Sequence, residues 1–94
     1  QNAEKYARMS YEADQSAYQT WTLGFSLIEN GKHDEAFNLL SEATEIHPND
    51  FMVQLGKGWA LYRLNRLEEA KTAILKAREI SPRKHHDIEK ALKL

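Results

Sequence analysis

The feature that most constrains this chain is an internal echo at a stride of 34 residues. Gly24 falls on Gly58, Leu27 on Leu61, Glu35 on Glu69, Ala36 on Ala70, Ala43 on Ala77, Glu45 on Glu79, Ile46 on Ile80 and Pro48 on Pro82. Leu40 meets Ile74 and Phe25 meets Trp59, so size is kept where identity is not. Matches at one offset, in order and without a gap, describe one supersecondary unit used twice, which cannot bury its apolar face alone and must stack on its copy.

Each matched position has a physical role. Gly24 and Gly58 lie inside helical patterns, where glycine costs about 1 kcal/mol relative to alanine, so a closely approaching second helix is the expected reason for them. Ala36 and Ala43, and again Ala70 and Ala77, are small residues seven apart on one helix face, with Leu40 or Ile74 between them. Asn30-Gly31 and Asn65 suit a left-handed turn after the first helix of each unit. Pro48 and Pro82 end the second helices, and Asn49 is the expected cap of the helix that follows the first of them. Ser81-Pro82 reads as a cap followed by a first-turn proline. The expected helices run over about 17–29, 33–46, 50–63, 67–80 and 82–94.

The arrangement Leu23-Gly24, Leu27, Gly31, Ala36, Leu40, Ala43, Pro48, repeated as Gly58, Leu61, Ala70, Ile74, Ala77, Pro82, resembles the tetratricopeptide repeat signature over residues 17–84. The resemblance implies an all-α right-handed superhelix of antiparallel hairpins, with residues 17–50 and 51–84 as repeats inside one domain spanning 1–94. Two departures stand out. Thr20 and Gln54 occupy places where the family has an aromatic or large residue, and Lys57 stands where leucine is usual; slight loosening is expected there. Residues 82–94, with apolar Ile88, Ala91, Leu92 and Leu94, are expected to cap the last hairpin. The first fifteen residues also carry a helical pattern in Ala3, Tyr6, Ala7 and Ser10. Tyr6 stands 34 before Leu40, so this segment reads either as the second helix of a preceding repeat or as an unrelated N-terminal cap, and the cap is the reading taken.

In the family the first helix of each hairpin lines a concave face that receives a peptide or helix of a protein partner. Here a stripe of Tyr18, Trp21, Phe25 and Ile28 runs along the first such helix, beside the one that faces its hairpin partner. Its counterpart in the second repeat is Met52, Leu55, Trp59 and Tyr62, flanked by Arg63. Members that clamp acidic chaperone tails use lysine and asparagine where this chain has Trp21, Phe25, Leu55 and Trp59, so that activity is not implied. An amphipathic helix or apolar segment docking on aromatic anchors is the expected ligand. The alternatives are a structural or self-associating piece of a longer repeat protein, with the stripe buried against the N-terminal helix or against a second copy.

Other function classes find little support. His85 and Glu89, four apart, are too few ligands for zinc, His33 and His47 lack a nucleophile set, and the isolated glycines make no phosphate loop. No catalytic activity, metal or cofactor is implied. Lys and Arg are scattered over several helices, from Arg63 to Lys93, and form no nucleic-acid stripe. Residues 1–50 nevertheless carry a net charge of −6 and residues 51–94 a net charge of +5, which reads as solvated helix faces or as polar contact with a neighbouring domain or copy. No apolar run is long enough to span a membrane. The absence of cysteine excludes disulfides and fits a cytoplasmic or a periplasmic setting alike. The first residues, Gln1-Asn2-Ala3, lack an initiator methionine, so a domain or processed piece of a longer protein is expected.

Overall fold

Two turns of the same construction set the hairpins. After α2 (Ala17–Glu29), Lys32 N–H donates to the Leu27 carbonyl at 2.8 Å and Gly31 N–H to that of Ile28 at 3.0 Å, with Gly31 at φ 79°. After α4 (Phe51–Arg63), Arg66 N–H donates to Leu61 at 2.9 Å and Asn65 N–H to Tyr62 at 3.0 Å, with Asn65 at φ 63°. Both are Schellman closures, in which a left-handed residue satisfies the last carbonyls of the helix. They return the chain into α3 (His33–Ile46) and α5 (Leu67–Ile80). Neither of these second helices has a side-chain cap; acidic pairs in their first turns, Asp34-Glu35 and Glu68-Glu69, face the positive ends of the helix dipoles instead.

The computed structural model describes residues 2–83, and every described element is a helix: α1 (Asn2–Ala13) precedes the four above. Of the capping helix expected over 82–94, only Pro82 and Arg83 are described, both helical, and Ile88, Ala91, Leu92, Leu94 and His85 lie outside the described residues. One boundary differs from expectation. The cap of α4 is Asp50, whose Oδ1 accepts from Val53 N–H at 3.0 Å, not Asn49. Its repeat equivalent, Ser16, caps α2 through Gln19 N–H at 3.3 Å.

Close packing within and between hairpins runs through the small-residue seams. A Cβ placed on Gly24 would stand 2.8 Å from Cδ1 and 2.9 Å from Cγ of Leu40, and one on Gly58 would stand 2.7 Å from Cγ1 of Ile74. These are the same pair of places one repeat apart. Gly56 adds a seam the stride does not contain: its Cβ would lie 3.2 Å from Trp21 and 3.3 Å from Leu40. Leu40 is thus held between Gly24 of its own hairpin and Gly56 of the next, with no solvent exposure, among Leu23, Leu27, Ala36 and Ala60.

The N-terminal helix packs on the first hairpin. α1 packs against α2 as α3 packs against α4, but one residue out of step. Tyr6, expected opposite Leu40's place, is 66% exposed, and Ala7 is the buried residue. Ala3, Ala7 and Ser10 precede Ala36, Leu40 and Ala43 by 33, because three residues join α1 to α2 where four join α3 to α4. In that register Glu4 takes the place of Phe37, and the two have parallel tasks. Phe37 lies under the guanidinium of Arg66, 4.6 Å from Cζ to ring centroid, at the turn of the following hairpin. Glu4 reaches the equivalent turn one repeat earlier, accepting from Asn30 Nδ2 at 2.8 Å, Lys32 Nζ at 2.9 Å and Arg8 at 3.0 Å, while Arg8 also donates to Glu35 at 3.0 Å.

Lys32, then Asn30 and Arg8, hold the Glu4 carboxyl down to about 2, against an ordinary value of 4.5. A depressed value stabilises the docked helix above pH 4.5, and that contribution is lost as pH falls from there toward 2. Hydrogen exchange of the α1 amides is therefore expected to speed up across that acid window more than exchange elsewhere in the chain. Glu4→Gln should abolish the difference; an unchanged pH profile in the variant would show that the carboxylate does not hold α1.

Two of the three positions where loosening was expected, Thr20 and Gln54, are buried and hydrogen-bonded, whereas Lys57 is half-buried. Thr20 donates to the Ser16 carbonyl at 2.8 Å, and Gln54 Nε2 donates to the Pro48 carbonyl at 3.0 Å. Each ties its helix to the segment that precedes it. Beside them the two repeats differ in filling. Thr20, Leu39 and Glu42 line a hollow of about 30 Å³, whereas their equivalents Gln54, Ala73 and Lys76, with Lys57, line one of about 300 Å³. Ala73→Leu copies the first repeat's solution. It should raise stability by about 1 kcal/mol and the melting temperature by roughly 4–8 °C, read from thermal unfolding; a lower melting temperature would mean the hollow cannot take the side chain.

Candidate protein-binding face

The first helices of the two hairpins, α2 and α4, pack directly on one another, so residues one stride apart become neighbours. Three rings meet across that junction. Trp21 and Phe25 are stacked with centroids 5.5 Å apart and planes 19° apart, and Phe25 meets Trp59 edge-on at 5.7 Å and 66°. All three are half-buried, and Trp59 rests on the core around Leu27 and Leu40. A Cβ on Gly56 would stand 3.2 Å from Cδ1 of Trp21, so the missing side chain lets that ring come close to α4. Tyr18, one turn before Trp21, is 70% exposed. The offset and edge-on geometries are those that aromatic quadrupoles favour.

The remaining residues of the expected stripe go elsewhere. Ile28 is 3% exposed and Leu55 7% exposed, so both are core residues and not part of an open face. Ile28 lies in the core cluster that Ala7, Leu27, Leu40 and Ala60 draw from four helices. Met52 is half-buried against Phe51, Leu55 and Ala77 of the second hairpin. Tyr62, the counterpart of Ile28, is largely exposed and does not join the three rings; it lines a hollow with Leu67, Ile74 and Leu75 beside α5. Arg63 is exposed in the last turn of α4. Two participants were not read from the sequence: Gly56, which has Thr22 and no glycine one stride earlier, and Glu4, whose register is displaced.

The family profile described as tetratricopeptide repeat matches residues 27–93. The chain belongs to the tetratricopeptide repeat family. No curated protein and no solved structure matches it at a significant level. Tetratricopeptide repeats are non-catalytic modules that mediate protein–protein interaction, so the class of partner is protein. None of the described helices of this tetratricopeptide repeat chain is long and apolar enough to cross a membrane.

Proposed function

We propose that the α2–α4 face captures an apolar or amphipathic helical segment of a protein partner, with Trp21, Phe25 and Trp59 as the anchors and Tyr18 beside them, and that the chain performs no catalysis. The observation that carries this reading is the three-ring contact across two repeats, partly exposed to solvent. Aromatic side chains of this kind lose little conformational freedom on binding and supply large apolar area, which is why they recur as interface hot spots. Of the wider stripe, Ile28 belongs to the core on which Trp59 rests, Leu55 and Met52 belong to the second hairpin's own cluster, and Tyr62 and Arg63 stand exposed apart from the rings.

A selection of displayed peptides against the chain tests it. Enriched sequences should carry apolar residues at i, i+3, i+4 and i+7. Trp21 and Trp59, the chain's two tryptophans, should move to shorter emission wavelength as such a peptide is added. Enrichment of acidic carboxyl-terminal tails with no change in emission would sink the reading.

A further inference from the structure

The face of α1 turned away from α2 carries exposed apolar side chains. Glu4, Ala7 and Tyr11 face the hairpin; Tyr6, Met9 and Ala13 lie on the other side, with Tyr6 66% and Met9 55% exposed. Their spacing of three and four is the seam of a helix pair. Along one edge of that seam stand Lys5 and Glu12, seven residues apart and both exposed. Among the described residues neither takes part in an ion pair. The other edge carries only Ala3 and Ser10, small enough for a second backbone to come close.

We propose that this face joins two copies of the chain through an antiparallel α1–α1 pair about a two-fold axis. In an antiparallel pair, identical edges of the two helices run side by side in opposite directions. Tyr6 of one copy then lies over Met9 of the other, a favourable sulfur–aromatic contact, and Lys5 of each copy lies beside Glu12 of the other. A parallel pair would set Lys5 against Ser10 and leave both charges without partners. The order of charge along this edge therefore selects a second copy, and its direction, over an arbitrary apolar partner. Because α1 packs on α2 and not on α4, the pair leaves the Trp21–Phe25–Trp59 face of each copy open. The dimer would present two binding faces, and a partner with two apolar segments would be held by avidity.

A helix of this length is about 18 Å long, so the interface is short and the dimer weak. Sedimentation equilibrium of the full chain from about 10 µM to about 1 mM should show monomer at the low end and dimer at the high end. Lys5→Glu and Glu12→Lys should each raise the dissociation constant about tenfold, because each turns two symmetric attractions into repulsions. Mixing the two variants in equal amounts should restore association, since every cross pair then joins opposite charges; helical circular dichroism confirms that each variant is folded. The proposal is overturned by a monomer at all concentrations, by a dimer indifferent to both reversals, or by a mixture no tighter than its components. A dimer that persists in Lys5→Glu and vanishes in Phe25→Ala would also overturn it and place self-association on the aromatic face.

Discussion

Gly58→Leu is expected to abolish the cooperative unfolding transition of this chain, and Gly58→Ala to lower its stability by about 1–2 kcal/mol. In an exposed helix the alanine change would add about 1 kcal/mol through backbone entropy. At Gly58 a Cβ meets Ile74 Cγ1 at 2.7 Å and the Ala70 carbonyl oxygen at 3.3 Å. Neither is the free end of a flexible side chain: Ile74 is β-branched and stiff at χ1, and the carbonyl belongs to α5 itself. Overpacking of this kind costs about 1–3 kcal/mol and outweighs the gain in propensity. Leucine drives three more carbons into the same seam, and a domain with marginal stability of about 5–15 kcal/mol at most, less at this size, has no reserve for that. Thermal melts followed at 222 nm read both effects. The control is Gly58→Ala combined with Ile74→Ala, which reopens the space. That pair should destabilise by less than the two single changes added together. Strict additivity would mean that the glycine is there for some reason other than the approach of α5.

The fold was legible in the sequence because its punctuation is chemical. Asn30-Gly31 and Asn65 carry the two left-handed residues, and they stand where the structure has them. Pro48 follows the end of α3, and Gly24 with Ala36 and Ala43 marks a seam that a helix must enter. What was not legible depends on the third dimension. A 34-residue stride places Tyr6 at the core position, yet a connection one residue shorter turns α1 by one place and puts Ala7 there. No propensity records the length of such a connection. Similarly, a helical projection puts Ile28 and Phe25 on one stripe of α2 and cannot tell which of them the rest of the fold covers. The structure buries Ile28 and leaves Phe25 half-open. Gly56 escaped notice for the opposite reason: it acts between repeats, so comparing one repeat with the next gives no signal for it.

Phe25→Ala is the change expected to cost most in binding while keeping the fold. Phe25 is the middle ring of three, 5.5 Å from Trp21 and 5.7 Å from Trp59, so its loss removes an anchor and releases its two neighbours together. A central aromatic hot spot is worth about 2 kcal/mol or more, roughly a thirtyfold loss of affinity for a selected apolar helical peptide, and Phe25→Ala with Trp59→Ala should remove detectable capture. The stability cost is smaller than for a core phenylalanine, for which about 3–5 kcal/mol is usual, because all three rings are half-open to water in the unbound chain. Two readouts separate binding from folding. The helical signal and a cooperative melt should persist in both variants, and the emission of Trp21 and Trp59 in the unbound Phe25→Ala chain should move to longer wavelength as the stack loosens. If the double variant loses its helical signal instead, the three rings serve as the interior of the stack and the partner must bind elsewhere. If it folds and still captures the peptide at full affinity, the rings are neither core nor anchor, and the face between α2 and α4 is not where this chain meets its partner.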